Sequence, residues 1–230
     1  MIISLEGIGG AGKSTQLELL KRDESWRNGV KVEFVKGVSR KSMADSLRAF
    51  EDREKERLWV AYLPNVHPGT DMLAFIAYMN ENCITIEEKL KQSNNDTQTI
   101  IIFDRYIDTA FTHAAARIIL SKDPEQERKI SELYSAYVAL KPIIRWPDLT
   151  IVIDTPLEIS EARAIQREGK FYEGNDREGF QIISDLYKWL AKVEPQRVRF
   201  VDGAQDADEI HNEIVKLIRN SMGNKDVSKL

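Results

Sequence analysis

Five short apolar runs punctuate the chain: Ile2–Leu5, Val30–Val35, Ile100–Phe103, Leu149–Ile153 and Val198–Val201. Each has the length and β-branched content of a strand. In Ile100–Phe103 and Ile151–Ile153 the apolar residues are continuous rather than alternating, which a strand covered on both faces requires, so these two are expected at the centre of a sheet. Helical periodicity marks the segments between: Gln16–Trp26, Met72–Lys91, Ile130–Leu140, Ile159–Arg167, Gly179–Leu190 and Ala207–Ile218. This alternation predicts parallel strands joined by crossover helices, an open α/β sheet with helices on both faces whose ligands bind at the carboxyl ends of the strands. No Pro/Gly/Ser-rich linker and no repeat interrupts the pattern, so a single domain is expected over 1–221. The run Glu51–Arg57 reads as the solvated face of a helix. Residues 222–230 lack an apolar face and are expected to fray.

Composition narrows the class. A chain of 230 residues that is 42% hydrophobic and 30% charged can bury a substantial core beneath a solvated surface. Thirty-three basic against thirty-seven acidic residues give a net charge of -4. That balance offers no global positive field for a nucleic acid or an anionic membrane, so neither is an expected partner and any anion must be caught locally. The single cysteine, Cys83, has no intramolecular partner, and the opening MIISLEG resembles no secretory leader. The expected address is cytoplasmic.

The strongest chemical signal is GIGGAGKS, Gly7 to Ser14, which fits G-x-x-x-x-G-K-[ST] between a predicted strand and a predicted helix. Gly7, Gly9, Gly10, Ala11 and Gly12 can wrap closely enough for backbone N–H groups to face phosphates, and the helix start adds the positive end of its dipole. Lys13 is placed to reach the β- and γ-phosphates, Ser14 to ligate Mg²⁺, and Thr15 to make a second phosphate contact. Nucleoside triphosphate binding follows, but not the reaction. A GTPase would show an N-K-x-D motif late in the chain, and none is present. A kinase for a small acceptor fits the length best.

At four places the chain resembles the thymidylate kinase family: LEGIGGAGKSTQ (Leu5 to Gln16), FDRY (Phe103 to Tyr106), PDLTIVIDTP (Pro147 to Pro156) and VDGAQDADEIHNEI (Val201 to Ile214). The resemblance implies the P-loop nucleoside triphosphate hydrolase fold with five parallel strands. It also implies ATP with Mg²⁺ as donor, transfer to a nucleoside monophosphate, and a homodimer, for which the helix around Leu133, Tyr137 and Leu140 offers a candidate face. Because the acceptor oxygen is already ionised, transfer asks for positioning and cations rather than a strong base. By resemblance, Arg105 clamps the acceptor phosphate, and Asp104 positions Mg²⁺, its waters or Arg105. A lid spans about 163–177. In it Arg163 lies near the adenine or its phosphates and Arg167 is the catalytic cation, with Lys170 and Arg177 as weaker candidates. The loop from Gly203 to Gln205 frames the adenine.

Departures gather on the acceptor side. Gly9 stands where the family carries an acid, and Lys36-Gly37-Val38 replaces R-E-P, leaving Lys36 as one cation. Phe75 matches the base-stacking aromatic, whereas Met79 replaces an arginine; Thr109, His113 and Ala114 replace a serine, a tyrosine and a glutamine. Buried hydrogen bonds are what let a site discriminate strongly. The leading expectation is therefore transfer from ATP to dTMP or a close pyrimidine deoxynucleotide. Alternatives are the same donor site with another nucleotide or a nucleoside as acceptor, and a non-catalytic nucleotide-binding regulator. Phe75 and His113 each have a competing reading as packing, and Met79, Cys83 and Trp59 read as packing.

Overall fold

The structure is a computed structural model that describes residues 1–27, 29–35, 67–92, 99–168 and 176–227. Its strands are β1 (Ile2–Glu6), β2 (Lys31–Val35), β3 (Thr99–Asp104), β4 (Leu149–Asp154) and β5 (Val198–Asp202). Its helices are α1 (Lys13–Arg22), α2 (Pro68–Gln92), α3 (Ile107–Leu120), α4 (Gln126–Ala139), α5 (Leu157–Glu168), α6 (Asp176–Val193) and α7 (Ala207–Val227). All five strands pair in parallel in the order β2-β3-β1-β4-β5. The two continuous apolar runs become β3 and β4, which flank β1, and all five residues of β1 are buried. Helices cover both faces, as the alternation requires; α1 packs on α7, and α5 on α6.

Two compact units emerge. One holds the sheet with α1, α5, α6 and α7, and the other holds α2, α3 and α4. Neither is contiguous in sequence. The chain leaves the sheet after β2 and again after β3, so a boundary between the units has no linker to betray it.

Three elements differ from the sequence expectations. Helix α3 is not among the segments expected to be helical; eleven of its fourteen residues are buried, so its apolar face is broad and not a narrow stripe. Helix α1 stops at Arg22 rather than Trp26. The Trp26 ring is buried beyond the helix end, where its indole N–H donates to the Leu20 carbonyl at 3.1 Å. Helix α7 extends through Val227, past the expected boundary at Met222, and residues 228–230 lie outside the described residues. Among the described residues no helix is long and apolar enough to cross a membrane.

The last turn of α1 is tied to α7 by Asp23, whose carboxylate lies 3.0 Å from His211 Nε2 and accepts the Ser25 backbone N–H at 3.0 Å. Ser25 first, then His211, hold the Asp23 carboxyl down at about 2. A carboxyl depressed by folding stabilises above its unfolded value of about 3.9 and loses that contribution as the pH falls through the folded value. Asp23→Asn is expected to be less stable than wild type in urea titrations at pH 6. The difference should shrink as the pH falls below about 4, and a gap of constant size down to the acid limit refutes the assignment.

Candidate functional site

The loop after β1 folds back on its surroundings so closely that two of its positions have no room for a side chain. Gly10 has φ +77, and a Cβ there would lie 2.2 Å from the Ser160 carbonyl oxygen; at Gly7, φ +135, it would lie 2.7 Å from the Ile153 oxygen. Both the positive φ and the close approach require glycine. Gly12, also left-handed, is the N-cap of α1 and supplies no capping side chain, and no acid occupies the first turn. The helix therefore opens with its N–H groups and dipole offered to an anion.

A cavity of about 300 Å³ lies over this helix start, lined by Gly10 to Thr15 on one side and by Arg163 and Arg167 of α5 on the other. Lys13 is buried beneath it, with Nζ donating to the carbonyls of Gly7 at 3.0 Å and Ile8 at 2.8 Å. Arg163 Nη1 donates to the Gly203 carbonyl at 3.0 Å, which joins α5 to the loop after β5. Three cations thus surround a cleft sized for a polyphosphate. Gly7 and Gly9 shape the loop without lining the cavity, and Gln205 lies in the turn after β5, outside the lining. Lys170, Gly169 and Gly174 fall outside the described residues, and Arg177 pairs with Glu158 at 3.1 Å on the surface.

Ser14 is exposed in the cavity wall, and Asp104 ends β3 with its Cα paired to Leu5 of the neighbouring strand. These two oxygen donors suit Mg²⁺, which binds through one or two side chains plus phosphate and water. Among the described residues no cluster of three His, Cys, Asp or Glu side chains could cage a metal by itself.

Arg105 follows Asp104 in the chain and belongs to the second unit. Its φ is +68, left-handed backbone that a non-glycine residue adopts at a cost of about 1 to 3 kcal/mol. Such strain, at a residue whose guanidinium makes only a 3.4 Å contact to Thr109 Oγ1, is the kind retained where side-chain placement matters.

In the same unit α2 and α3 pack along one another. Asp71 of α2 pairs with Arg117 of α3 at 3.1 Å, and Cys83 of α2 bonds Tyr106 just before α3, so the helices run antiparallel. Steps of four from the ion pair then set Phe75 level with His113, and Met79 level with Thr109. All four are buried. Phe75, Met79, Thr109 and His113 thus belong to one packed helix pair, with Phe75 and Met79 in its apolar core. Lys36 and Trp59 lie outside the described residues. Burial pushes the Cys83 thiol up to about 11 and raises the Tyr106 hydroxyl as well, so Cys83 stays a protonated packing group.

The expected dimer face is corrected. Leu133 and Tyr137 are buried within the second unit, where the Tyr137 hydroxyl donates to Asp108 at 2.5 Å and its ring lies 4.7 Å from Trp146. Leu140, the third residue of that face, is half-buried. Three residues escaped sequence reasoning. Glu6 is fully buried at the end of β1 and accepts from Tyr187 at 2.8 Å and Ser4 at 2.5 Å. Thr155 and Ser160 donate to carbonyls of the phosphate loop, at Ala11 (3.1 Å) and Gly9 (2.5 Å). An acid closing an apolar run was a visible signal for Glu6; nothing local marked the other two.

The family model described as thymidylate kinase matches residues 5–214. A thymidylate kinase of Neisseria meningitidis serogroup B is 28% identical over 227 residues, covering 96% of this chain and 97% of that one. One from Kosmotoga olearia is 27% identical, covering 94% of each. The crystal structure of thymidylate kinase from Ehrlichia chaffeensis aligns with a TM-score of 0.59 at 23% identity, over 95% of this chain and 98% of that one. At that identity the likeness speaks for the fold.

Left-handed strain at Arg105 has a direct consequence. Arg105→Gly is expected to raise unfolding free energy in urea by about 0.5 to 1 kcal/mol, whereas Arg105→Ala, equally strained, is not. Equal stability of the two variants would remove the argument.

Proposed function

The chain belongs to the thymidylate kinase family and is an ATP-dependent nucleoside monophosphate kinase; on that premise we propose that it transfers the γ-phosphoryl of ATP to a pyrimidine deoxynucleoside monophosphate, dTMP first among them. The observation that carries the reading is the cavity in which the loop backbone, Lys13, Arg163 and Arg167 face one another. Donor phosphates spread over the loop N–H groups, with Lys13 exchanging its carbonyl partners for phosphate oxygens. Ser14 and Asp104 would hold the Mg²⁺ that accompanies ATP, which would supply charge neutralisation at the phosphates. Arg163 steadies the adenine end against the loop from Gly203 to Gln205. Arg167, nearer the end of α5, meets charge developing on the transferring group.

Arg105 clamps the acceptor phosphate with its planar fork, assisted by Lys36, while Phe75, Met79, Thr109 and His113 form the wall that reads base and sugar. No residue need act as a strong base, because the acceptor oxygen is ionised before it attacks. The reading treats both units as parts of one kinase domain, cytoplasmic and homodimeric, acting on small-molecule nucleotides. A second reading keeps the donor half and changes the acceptor. It is favoured by Met79 and Ala114, both buried and unable to hydrogen-bond where the family's arginine and glutamine would.

A panel of acceptors with γ-labelled ATP separates the two readings. Efficient labelling of dTMP is expected; label on another nucleotide or a nucleoside, with none on dTMP, transfers the conclusion to the second reading. Lys13→Ala should lower transfer by about a hundredfold or more while leaving the fold intact, an outcome a non-catalytic regulator could not give. Acceptor kcat/KM is expected to rise with pH and level above about 6, where the substrate monoester completes its ionisation. A plateau displaced well above neutrality would instead reveal a base on the protein.

A further inference from the structure

Thr155 and Ser160 contact the phosphate loop from the end of β4 and the first turns of α5, and both are buried. Each donates its hydroxyl to a loop carbonyl: Ser160 Oγ to Gly9 at 2.5 Å and Thr155 Oγ1 to Ala11 at 3.1 Å. In a planar trans peptide the carbonyl of one residue and the N–H of the next point in opposite directions. A hydroxyl that fixes the Gly9 carbonyl therefore aims the Gly10 N–H away from itself, and one that fixes the Ala11 carbonyl does the same for the Gly12 N–H. Gly10 and Gly12 both line the phosphate cavity.

We infer that Thr155 and Ser160 are positioning residues for phosphoryl transfer: they set the orientation of the Gly9–Gly10 and Ala11–Gly12 peptides, and with it the phosphate-binding N–H groups. The contact is tight on both sides. A Cβ at Gly10 would strike the Ser160 carbonyl oxygen at 2.2 Å, and one at Gly203 would strike Thr155 Oγ1 at 1.9 Å, so glycines let the backbone pass close to both residues. Ser160 also precedes Arg163 and Arg167 by three and seven residues on α5, the spacing of one helical face. Its bond to Gly9 thus registers the helix bearing both arginines against the loop they face across the cavity. The inference rests on the kinase reading for its ligand, a nucleoside triphosphate, but not on the identity of the acceptor.

Thr155→Val removes the hydroxyl at nearly constant shape, Thr155→Ser retains it, and Ser160→Ala removes the other. Calorimetric binding of Mg·ATP to the full chain is expected to weaken about three- to tenfold in Thr155→Val and in Ser160→Ala, the span of one net hydrogen bond each, and to recover in Thr155→Ser. Competition by inorganic tripolyphosphate should weaken by the same factor, since the effect lies at the phosphates. In turnover assays KM for ATP should rise while KM for the acceptor stays put. Variants that melt lower yet bind Mg·ATP and tripolyphosphate as wild type does would reduce both hydroxyls to structural pins and overturn the inference. Should Thr155→Val not fold, Ser160→Ala alone decides. Weakened binding in a protein that phosphorylates no nucleotide would keep the hydroxyls' role in orienting the triphosphate-binding loop, overturn their role in transfer and sink the kinase reading.

Discussion

The sheet unit depends on the backbone-to-backbone approach between the loop of residues 7–12 and the β4–α5 junction. At Gly7 and Gly10 the distances left for a side chain are shorter than any real Cβ contact. The junction answers the loop carbonyls with two hydroxyls. Polar backbone buried this closely would be costly unless paired, and the pairing orients it at the same time. The approach also sets α1 and α5 on opposite walls of the 300 Å³ cavity. One wall offers a helix start and the other two guanidinium groups.

Charge is organised locally. The chain carries a net charge of -4, yet Lys13, Arg163 and Arg167 meet around one cavity whose lining, among the described residues, holds no carboxylate. Such focusing binds a highly anionic ligand without a basic surface, because the field at short range is set by neighbours and not by the total. Glu6 lies buried close by in sequence, where it accepts hydrogen bonds from the Ser4 and Tyr187 hydroxyls. Carbonyl partners hold Lys13 where phosphate oxygens can replace them.

In the second unit the Asp71–Arg117 pair sets the register of α2 against α3, and register decides which residues share a level. That seam is lined by Phe75, Met79, Thr109 and His113, all buried. The seam mixes apolar Phe75 and Met79 with polar Thr109 and His113. Arg105, the first residue of this unit after β3, is held in left-handed backbone at a cost the surrounding fold must meet.

Much of this was legible before any coordinates. The phosphate loop is a contiguous motif whose chemistry resides in its own backbone, so its glycines, Lys13 and Ser14 could be named from eight residues. Period and β-branched content located all five strands, because strand burial writes itself into local pattern. Helix α3 was less legible, since burial of eleven of its fourteen residues widens the apolar face beyond a stripe. Thr155 and Ser160 stand 144 and 151 residues from the carbonyls they hold. A hydroxyl in the sequence does not say which carbonyl it will meet. Only chain packing brings them together, just as it folded Leu133 and Tyr137 inward where their spacing suggested a surface. Local chemistry was determined by the sequence itself; the orientation of that chemistry was decided by contacts between segments far apart along the chain.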